Sequence, residues 1–253
     1  MKMLLLDFDG VLCDSIDECL INSYNTFNIL ERDNAKIIYD IHKIDPKLIE
    51  TFRQFRPLVR VAREYYLLWS LIQKGIAISA EKDIRSQLNI GDRKLEKFHS
   101  LFYSLRNDWM KNDVMSWIRY NPLFEGMNKV LKDVLKKKTV IIVSSKDKTA
   151  INTILRFNDL IIDEDRIWGS DSGRDKHAIF RELKEIYQIP FSDFVFLDDN
   201  LNNLLIAKKM GIRSFFASWG YSMPNEKALA RKMEIPMIRL EYFGEWVGKF
   251  LIN

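Results

Sequence analysis

Four groups of polar residues in this sequence are of the types that could bind a metal cation and an anion side by side. Three of these groups directly follow short apolar runs, and the fourth lies ahead of a helical pattern: Asp7 and Asp9, Ser144 and Ser145, Asp198 and Asp199, and Lys176. Several carboxylates held close together repel one another unless a cation lies between them. Oxygen ligands without a nearby Cys or His cluster favour Mg²⁺. The residue types therefore predict a magnesium site.

The same residues have the functional groups that phosphoryl chemistry needs. A dication and the Lys176 amine would attract a phosphate, and the Ser144 hydroxyl and the N–H groups that open the next helix would bind its oxygens. One carboxylate can then attack phosphorus and form an aspartyl-phosphate, while a metal offsets the repulsion between the two anions. A second acid two residues away can protonate the leaving alcohol and later activate water.

Alternating strands and helices are predicted to bring these side chains together. Apolar runs typical of strands buried on both faces lie at Met3–Leu6, Val140–Val143 and Phe194–Leu197, with weaker strands at Arg166–Trp168 and Ser214–Ala217. Helical patterns follow at Ile16–Leu30, Lys148–Phe157 and Asn202–Met210. This order predicts an α/β fold with a Rossmann-like parallel sheet. Ligands bind at the carboxyl ends of such strands, where the polar groups would converge.

The stretch between the first two strong strands is too long to be a simple crossover. Residues 15–120 show helical periods and no strong strand, whereas a crossover needs only about a dozen residues. We therefore predict an inserted α-helical domain at 15–120, within a sheet domain made of 1–14 and 121–253. The insertion has 17 basic and 14 acidic residues. Its net charge of +3 is most of the chain's net charge of +4. This bias attracts anions, and we expect a small anionic ligand in preference to a nucleic-acid partner, for which the bias is the only indication.

Four motifs of the sequence resemble those of the haloacid dehalogenase (HAD) superfamily. In order along the chain they are Asp7-Phe8-Asp9-Gly10-Val11, Val143-Ser144-Ser145-Lys146, Lys176, and Leu197-Asp198-Asp199-Asn200. The helical insertion and the segment Ser218-Trp219-Gly220-Tyr221 are similar to features of its phosphoglycolate-phosphatase-like branch, in which the insertion is a helical cap.

The resemblance implies a catalytic role for three residues. Asp7 would be the nucleophile and a Mg²⁺ ligand, and Asp9 would be the general acid and base, with its carbonyl oxygen as a further ligand. Lys176 would neutralise the charge on Asp7 and the phosphate. The acid at Asp9 favours phosphate esters, because superfamily members that cleave carbon–halogen or phosphonate bonds lack it.

The resemblance also implies a phosphate site and a metal site. Ser144, Ser145 and Gly10 would bind the substrate phosphate. Asp198 and Asp199 would complete the metal site, Asp199 directly or through water. The sequence departs from the common pattern at two positions, since His177 stands where Pro is usual and Asn202 stands where a second acid is frequent.

Some of these residues also have a purely structural interpretation. Ser144 and the Asp198–Asp199 pair could cap helices instead of binding ligands, and we expect Asp14 and Ser15 to cap the helix that enters the insertion. A set of arginines, Arg53, Arg56, Arg60 and Arg63, has the spacing of one helical face, although Pro57 interrupts it. We expect a solvated face there; the alternative is that some of these arginines bind an anionic part of the substrate.

These features predict a Mg²⁺-dependent phosphatase that hydrolyses a small phosphorylated metabolite through an aspartyl-phosphate. A phosphotransferase or phosphomutase on the same scaffold, a non-catalytic phosphate-binding module and action on nucleic-acid phosphate ends stay open as alternatives. Two cysteines fit a reducing compartment, so we expect a cytoplasmic protein. No segment approaches the ~18 apolar residues of a membrane span. The sequence does not indicate an oligomeric state.

Overall fold

The computed structural model of the chain describes residues 2–86 and 92–251. The chain divides into two compact units, one of Met1–Asp14 with Pro122–Asn253 and the other of Ser15–Asn121. We call them the sheet unit and the helical unit. The helical unit differs from the predicted insertion, 15–120, by one residue at its end. In the described part of the chain, no helix is long and apolar enough to cross a membrane.

The sheet unit contains six strands within the described residues. They are β1 (Met3–Leu6), β2 (Val140–Val143), β3 (Ile167–Trp168), β4 (Phe194–Asp198), β5 (Arg213–Ala217) and β6 (Met237–Ile238). Their order across the sheet is β3-β2-β1-β4-β5-β6, and all neighbouring pairs are parallel. The predicted α/β class with a Rossmann-like core is therefore confirmed. The strand pattern does not predict β6, because its two half-buried residues form no apolar run.

Twelve α-helices lie among the described residues, six in each unit. The helical unit has α1 (Ile16–Glu31), α2 (Pro46–Phe55), α3 (Glu64–Gln73), α4 (Glu81–Arg85), α5 (Arg93–Asn112) and α6 (Val114–Ile118), and the sheet unit has α7 (Met127–Val134), α8 (Lys148–Phe157), α9 (Lys176–Tyr187), α10 (Leu201–Lys209), α11 (Pro224–Lys232) and α12 (Phe243–Leu251). The described part of the helical unit has no strand, as its sequence pattern predicts.

The sheet places the ends of β1 and β4 side by side at its centre. Leu6 pairs with Leu197 on one side and with Ile142 on the other. The chain runs from β1 through β2 to β3 on one side, and then resumes at β4 on the other side of β1. The gap between β1 and β4 is thus the switch point at which parallel sheets bind ligands.

Burial on both faces fixes the positions of these strand ends. Every residue of β1, β2 and β4 is buried. On one face the strands pack against α9 and α10, through apolar side chains such as Phe180 and Leu204. Phe180 and Phe196 meet edge to face, with ring centroids 5.0 Å apart. Close packing leaves the backbone little freedom, so the residues that follow the strands are held in place.

The helix caps differ from the predicted ones. Asp147 caps α8 by accepting the Ala150 N–H, and Asn200 caps α10, so neither Ser144 nor the Asp198–Asp199 pair serves as a cap. Ser15 occupies the cap position of α1, but its side chain makes no capping hydrogen bond. Asp14 instead accepts a hydrogen bond from the Tyr221 hydroxyl. Ser15 is therefore the N-cap residue of α1, as expected, through its backbone and not its side chain, whereas the expectation that Asp14 contributes to this cap is wrong.

The arginine set does not form one helical face. Arg53 lies on α2 and pairs with Asp17, whereas Pro57 ends the helix in a short 3₁₀ turn. Arg60 and Arg63 follow this turn and precede α3. Because Pro lacks an N–H and clashes with the preceding turn, it separates the set into three local settings. A role for these arginines in substrate binding stays a prediction.

A buried ion pair joins α1 to α5 inside the helical unit. The Arg106 guanidinium donates to both carboxylate oxygens of Glu18 at 2.8 Å, and the two side chains are 3% and 0% exposed. The guanidinium also lies over the Phe102 ring, 4.7 Å from its centroid. Removal of one partner from such a pair leaves a buried charge without compensation.

We expect Arg106→Met to lower the free energy of unfolding of the helical unit by ~3–5 kcal/mol, because Glu18 would then be buried without its counter-charge. The matched control is Arg63→Met, since Arg63 pairs with Glu96 at the surface. That change should cost less than ~1 kcal/mol. Urea unfolding followed by tryptophan fluorescence measures both. Equal losses in the two variants would contradict the buried pair's importance.

Candidate active site

Three buried aspartates meet at the carboxyl ends of β1 and β4. One ligand atom from each of Asp7, Asp198 and Asp199 lies within 4.8 Å of the others. Asp7 directly follows β1, and its Oδ1 accepts the N–H of Phe8 at 2.8 Å. Asp198 ends β4 and is 0% exposed. The structure therefore brings together three of the four acids that the sequence analysis assigned to the metal site.

Lys176 supplies positive charge to this acid cluster. Its ammonium lies 3.0 Å from Asp7 Oδ2 and 2.6 Å from Asp198 Oδ2. Lys176 is the first residue of α9, and Asp175 caps that helix by accepting the Ala178 N–H. Burial lowers the pKa of the amine, but the carboxylates of Asp198 and Asp7 outweigh burial and raise the pKa above its usual value. Lys176 is therefore a permanent cation in this site.

Opposing interactions set the pKa of the Asp7 carboxyl. The pKa of its carboxyl is raised from 3.8 to about 7: burial is the largest cause, the Lys176 charge opposes it, and repulsion from Asp198 adds to it. One lysine thus does not fully compensate this buried carboxylate. Additional positive charge beside it would favour the ionised form.

The two neighbouring acids of the fourth motif are held by different partners. Asp198 accepts the Asn200 N–H at 2.7 Å on Oδ1 and the Asn203 amide at 2.9 Å on Oδ2. Asp199 accepts the Tyr221 N–H at 2.5 Å. The side-chain amide that donates to Asp198 belongs to Asn203, whereas the sequence analysis named its neighbour Asn202 as a departure from the common motif. Asn203 lies one position further along α10, a difference that the motif alone does not reveal.

Asp9 is paired with a second lysine, for which the sequence analysis assigned no role. The Lys146 ammonium lies 3.2 Å from Asp9 Oδ1 and 3.4 Å from Oδ2. The Lys146 side chain is 0% exposed. A buried ammonium is costly unless it is paired, so the two residues compensate each other. Lys146 lies in the predicted second motif, but only the fold shows that it points to Asp9.

Ser144 directly follows β2 and is buried. Its N–H donates to the Trp168 carbonyl at 2.9 Å, and its hydroxyl accepts the Lys146 N–H at 3.2 Å. Ser145 is exposed at the same end of the sheet. The two serines thus stand beside the lysine that holds Asp9. Their contact with a phosphate stays a prediction.

Gly10 contributes to the site through its lack of a side chain. Its φ is +81°, and a Cβ there would overlap the Asp199 carboxylate. Its N–H donates to the Cys13 carbonyl at 2.8 Å, within the loop after β1. Gly10 therefore lets Asp199 approach the β1 loop, while the phosphate contact expected of it stays a prediction.

The ligand atoms of the acid cluster suit a divalent cation. Asp7, Asp198 and Asp199 each offer a carboxylate oxygen, and the Lys176 ammonium pairs with Asp7 and Asp198. The donor set consists of oxygens alone, the set that Mg²⁺ prefers. The buried acid cluster could therefore hold this ion between Asp7, Asp198 and Asp199.

Comparison with solved structures finds the same fold over nearly the whole chain. A predicted phosphoglycolate phosphatase from Haemophilus somnus 129PT aligns with a TM-score of 0.60 and 14% identity, over 94% of this chain and 93% of the other. A predicted phosphatase from Clostridium acetobutylicum aligns with a TM-score of 0.63 and 16% identity, over 100% of both chains. A HAD family hydrolase from Deinococcus radiodurans R1, solved with bound phosphate and sodium, aligns with a TM-score of 0.53 and 14% identity. The alignment covers 94% of this chain and 90% of the other.

The sequence comparisons point to one family. No curated protein sequence matches this chain. The sequence profile of the haloacid dehalogenase-like hydrolases, however, matches residues 1–211. That range includes all four motifs, and the resemblance inferred from them is confirmed. On this match, the chain belongs to the haloacid dehalogenase-like hydrolase family.

Proposed function

We propose that this chain is a Mg²⁺-dependent phosphatase that hydrolyses a small phosphate monoester through an aspartyl-phosphate on Asp7. The observation that carries the proposal is the setting of Asp7. This carboxyl is buried at the switch point of the sheet, 3.0 Å from the Lys176 ammonium and within the acid cluster. Such a setting suits a nucleophile that must meet an anionic phosphate.

In the first step, a carboxylate oxygen of Asp7 forms a bond to phosphorus as the bond from phosphorus to the alcohol oxygen breaks. Asp9, once protonated, gives its proton to the departing oxygen, and Lys146 holds the Asp9 side chain in place. Lys176 balances the negative charge that gathers on Asp7 and the phosphoryl group. A Mg²⁺ ion, held by Asp7, Asp198, Asp199 and the carbonyl of Asp9, would supply further charge stabilisation when bound.

In the second step, water attacks the phosphorus of the aspartyl-phosphate. Asp9, now ionised, accepts a proton from this water. The bond between phosphorus and Asp7 breaks, which returns the Asp7 carboxylate and releases inorganic phosphate. Asp9 thus serves first as acid and then as base, and ends the cycle protonated as it began.

Binding of the substrate phosphate is assigned to Ser144, Ser145 and Gly10, beside Lys176. The HAD family hydrolase from Deinococcus radiodurans R1, which has the same fold, was solved with bound phosphate and sodium, and this is consistent with a fold that binds a phosphate and a cation. We further propose that the helical unit acts as a cap that selects a phosphorylated metabolite, and that the protein works in the cytoplasm. Its two cysteines are buried and form no disulfide in the described structure, which is consistent with that compartment.

Asp7→Asn should abolish hydrolysis, because an amide cannot attack phosphorus in this way. We expect kcat on p-nitrophenyl phosphate with Mg²⁺ to fall by ~10⁴-fold or more. The matched control is Asp133→Asn, a surface acid on α7 that should keep full activity. Release of free phosphate, and not transfer to an added sugar, distinguishes a hydrolase from a phosphotransferase. Full activity of Asp7→Asn would contradict the proposed nucleophile.

The stability of the metal-free protein should depend on pH through Asp7. Because folding raises the pKa of this carboxyl to about 7 from 3.8, the folded protein keeps a proton that the unfolded chain loses. Stability should therefore fall as the pH rises between about 4 and about 7. Asp7→Asn cannot ionise, so its melting temperature in EDTA should exceed that of the wild type above about pH 7 and match it near about pH 4. If Asp7→Asn and the wild type melt at the same temperature at both pH values, the raised pKa of Asp7 is contradicted.

Activity should require the metal and depend on Asp199. Excess EDTA should abolish hydrolysis, and added Mg²⁺ should restore it. Asp199→Asn removes one negative charge from the acid cluster, so we expect the Mg²⁺ concentration for half-maximal activity to rise by ~10-fold or more. Phosphate release measured across a Mg²⁺ titration checks this. Undiminished turnover in EDTA would contradict the metal requirement.

A further inference from the structure

The segment Trp219–Tyr221, which follows β5, joins the two loops that carry the acids of the sheet unit. The Tyr221 N–H donates to Asp199 Oδ2 at 2.5 Å. The Trp219 indole N–H donates to the Val11 carbonyl at 3.0 Å, and the Tyr221 hydroxyl donates to Asp14 at 2.7 Å. One short segment therefore holds Asp199 after β4 and two positions of the loop after β1.

The middle residue of this segment packs against the same two loops. A Cβ on Gly220 would overlap the Gly10 carbonyl oxygen and the Asp199 side chain. A Cβ on Gly10 would in turn overlap the Asp199 carboxylate and touch the Tyr221 ring. Two glycines from distant parts of the chain thus leave a slot that the Asp199 carboxylate fills. Close packing on both sides restricts the rotamers of this aspartate.

We propose that Trp219–Tyr221 is a positioning segment that fixes the Asp199 carboxylate and thereby sets the affinity of the site for a divalent cation. The choice of Mg²⁺ as the cation rests on the proposed function. A carboxylate already held in one orientation loses little side-chain entropy when it binds a cation. Groups that orient metal ligands typically change metal affinity by ~10–100-fold when they are removed.

The direct test is Gly220→Ala, measured by calorimetric titration of the metal-free protein with MgCl₂. We expect Mg²⁺ to bind ~10–100-fold more weakly, because the added methyl group displaces Asp199. The matched control is Gly248→Ala on α12, where nothing lies within 4 Å of the new Cβ. That variant should bind Mg²⁺ as the wild type does. Wild-type affinity in Gly220→Ala would overturn the proposal.

A double-mutant cycle tests whether the segment acts through Asp199. In an Asp199→Asn background, Gly220→Ala should weaken Mg²⁺ binding little further, because its target is already impaired. If Gly220→Ala weakens Mg²⁺ binding by the same factor in the Asp199→Asn background as in the wild type, the segment does not act through Asp199. That result would overturn the proposal. If circular dichroism shows Gly220→Ala to be unfolded, Trp219→Phe replaces it. That variant removes the hydrogen bond to Val11, and it should weaken Mg²⁺ binding by a smaller factor; unchanged affinity would overturn the proposal.

The calorimetric measurement separates this proposal from the proposed function. A wild-type protein that binds Mg²⁺ but hydrolyses no phosphate ester would refute the phosphatase function and leave the positioning segment intact. An active wild type with unchanged Mg²⁺ affinity in Gly220→Ala would refute the positioning segment alone. A wild-type protein that binds no Mg²⁺ would refute both.

Discussion

Repulsion among buried carboxylates is the constraint on which the rest of this structure depends. Asp7, Asp198 and Asp199 are packed within a few ångströms of one another, out of contact with most of the solvent. Lys176 compensates part of this charge, and the pKa of Asp7 is still raised to about 7. A site that concentrates uncompensated negative charge is unfavourable for folding. The same charge suits the site to a dication, beside which an anion could bind.

The sheet makes this concentration of charge possible. Because β1 and β4 are buried on both faces and pair in register, the acids that follow them cannot move apart. Contacts from outside the strands then fix each side chain. Lys146 pairs with Asp9, and Asn203 with Asp198, while the Tyr221 N–H holds Asp199. Rigid strands set the positions of the acids, and these partners set their orientations.

The three central strands and the acids that meet at their ends could be predicted from the sequence, because both are local signals. An apolar run buried on both faces marks β1, β2 and β4 to within one residue, and polar residues directly after such runs mark the site. Contacts between distant segments left no such signal. That Lys146 reaches Asp9, 137 positions away, or that Tyr221 holds Asp199, follows only from the fold. The arginine set has helical spacing, and Pro57 already indicated a break in it, but the separate settings of these arginines follow only from the fold.

Covalent labelling of Asp7 tests the central claim most directly. In Asp9→Asn, the base that activates water is lost, so the aspartyl-phosphate should persist after reaction with p-nitrophenyl phosphate, whose leaving group needs no proton. Acid quenching followed by peptide mass spectrometry would show where the phosphoryl group resides. We expect one phosphoryl group on Asp7. Phosphate release without any label, or a label on another residue, would contradict the account.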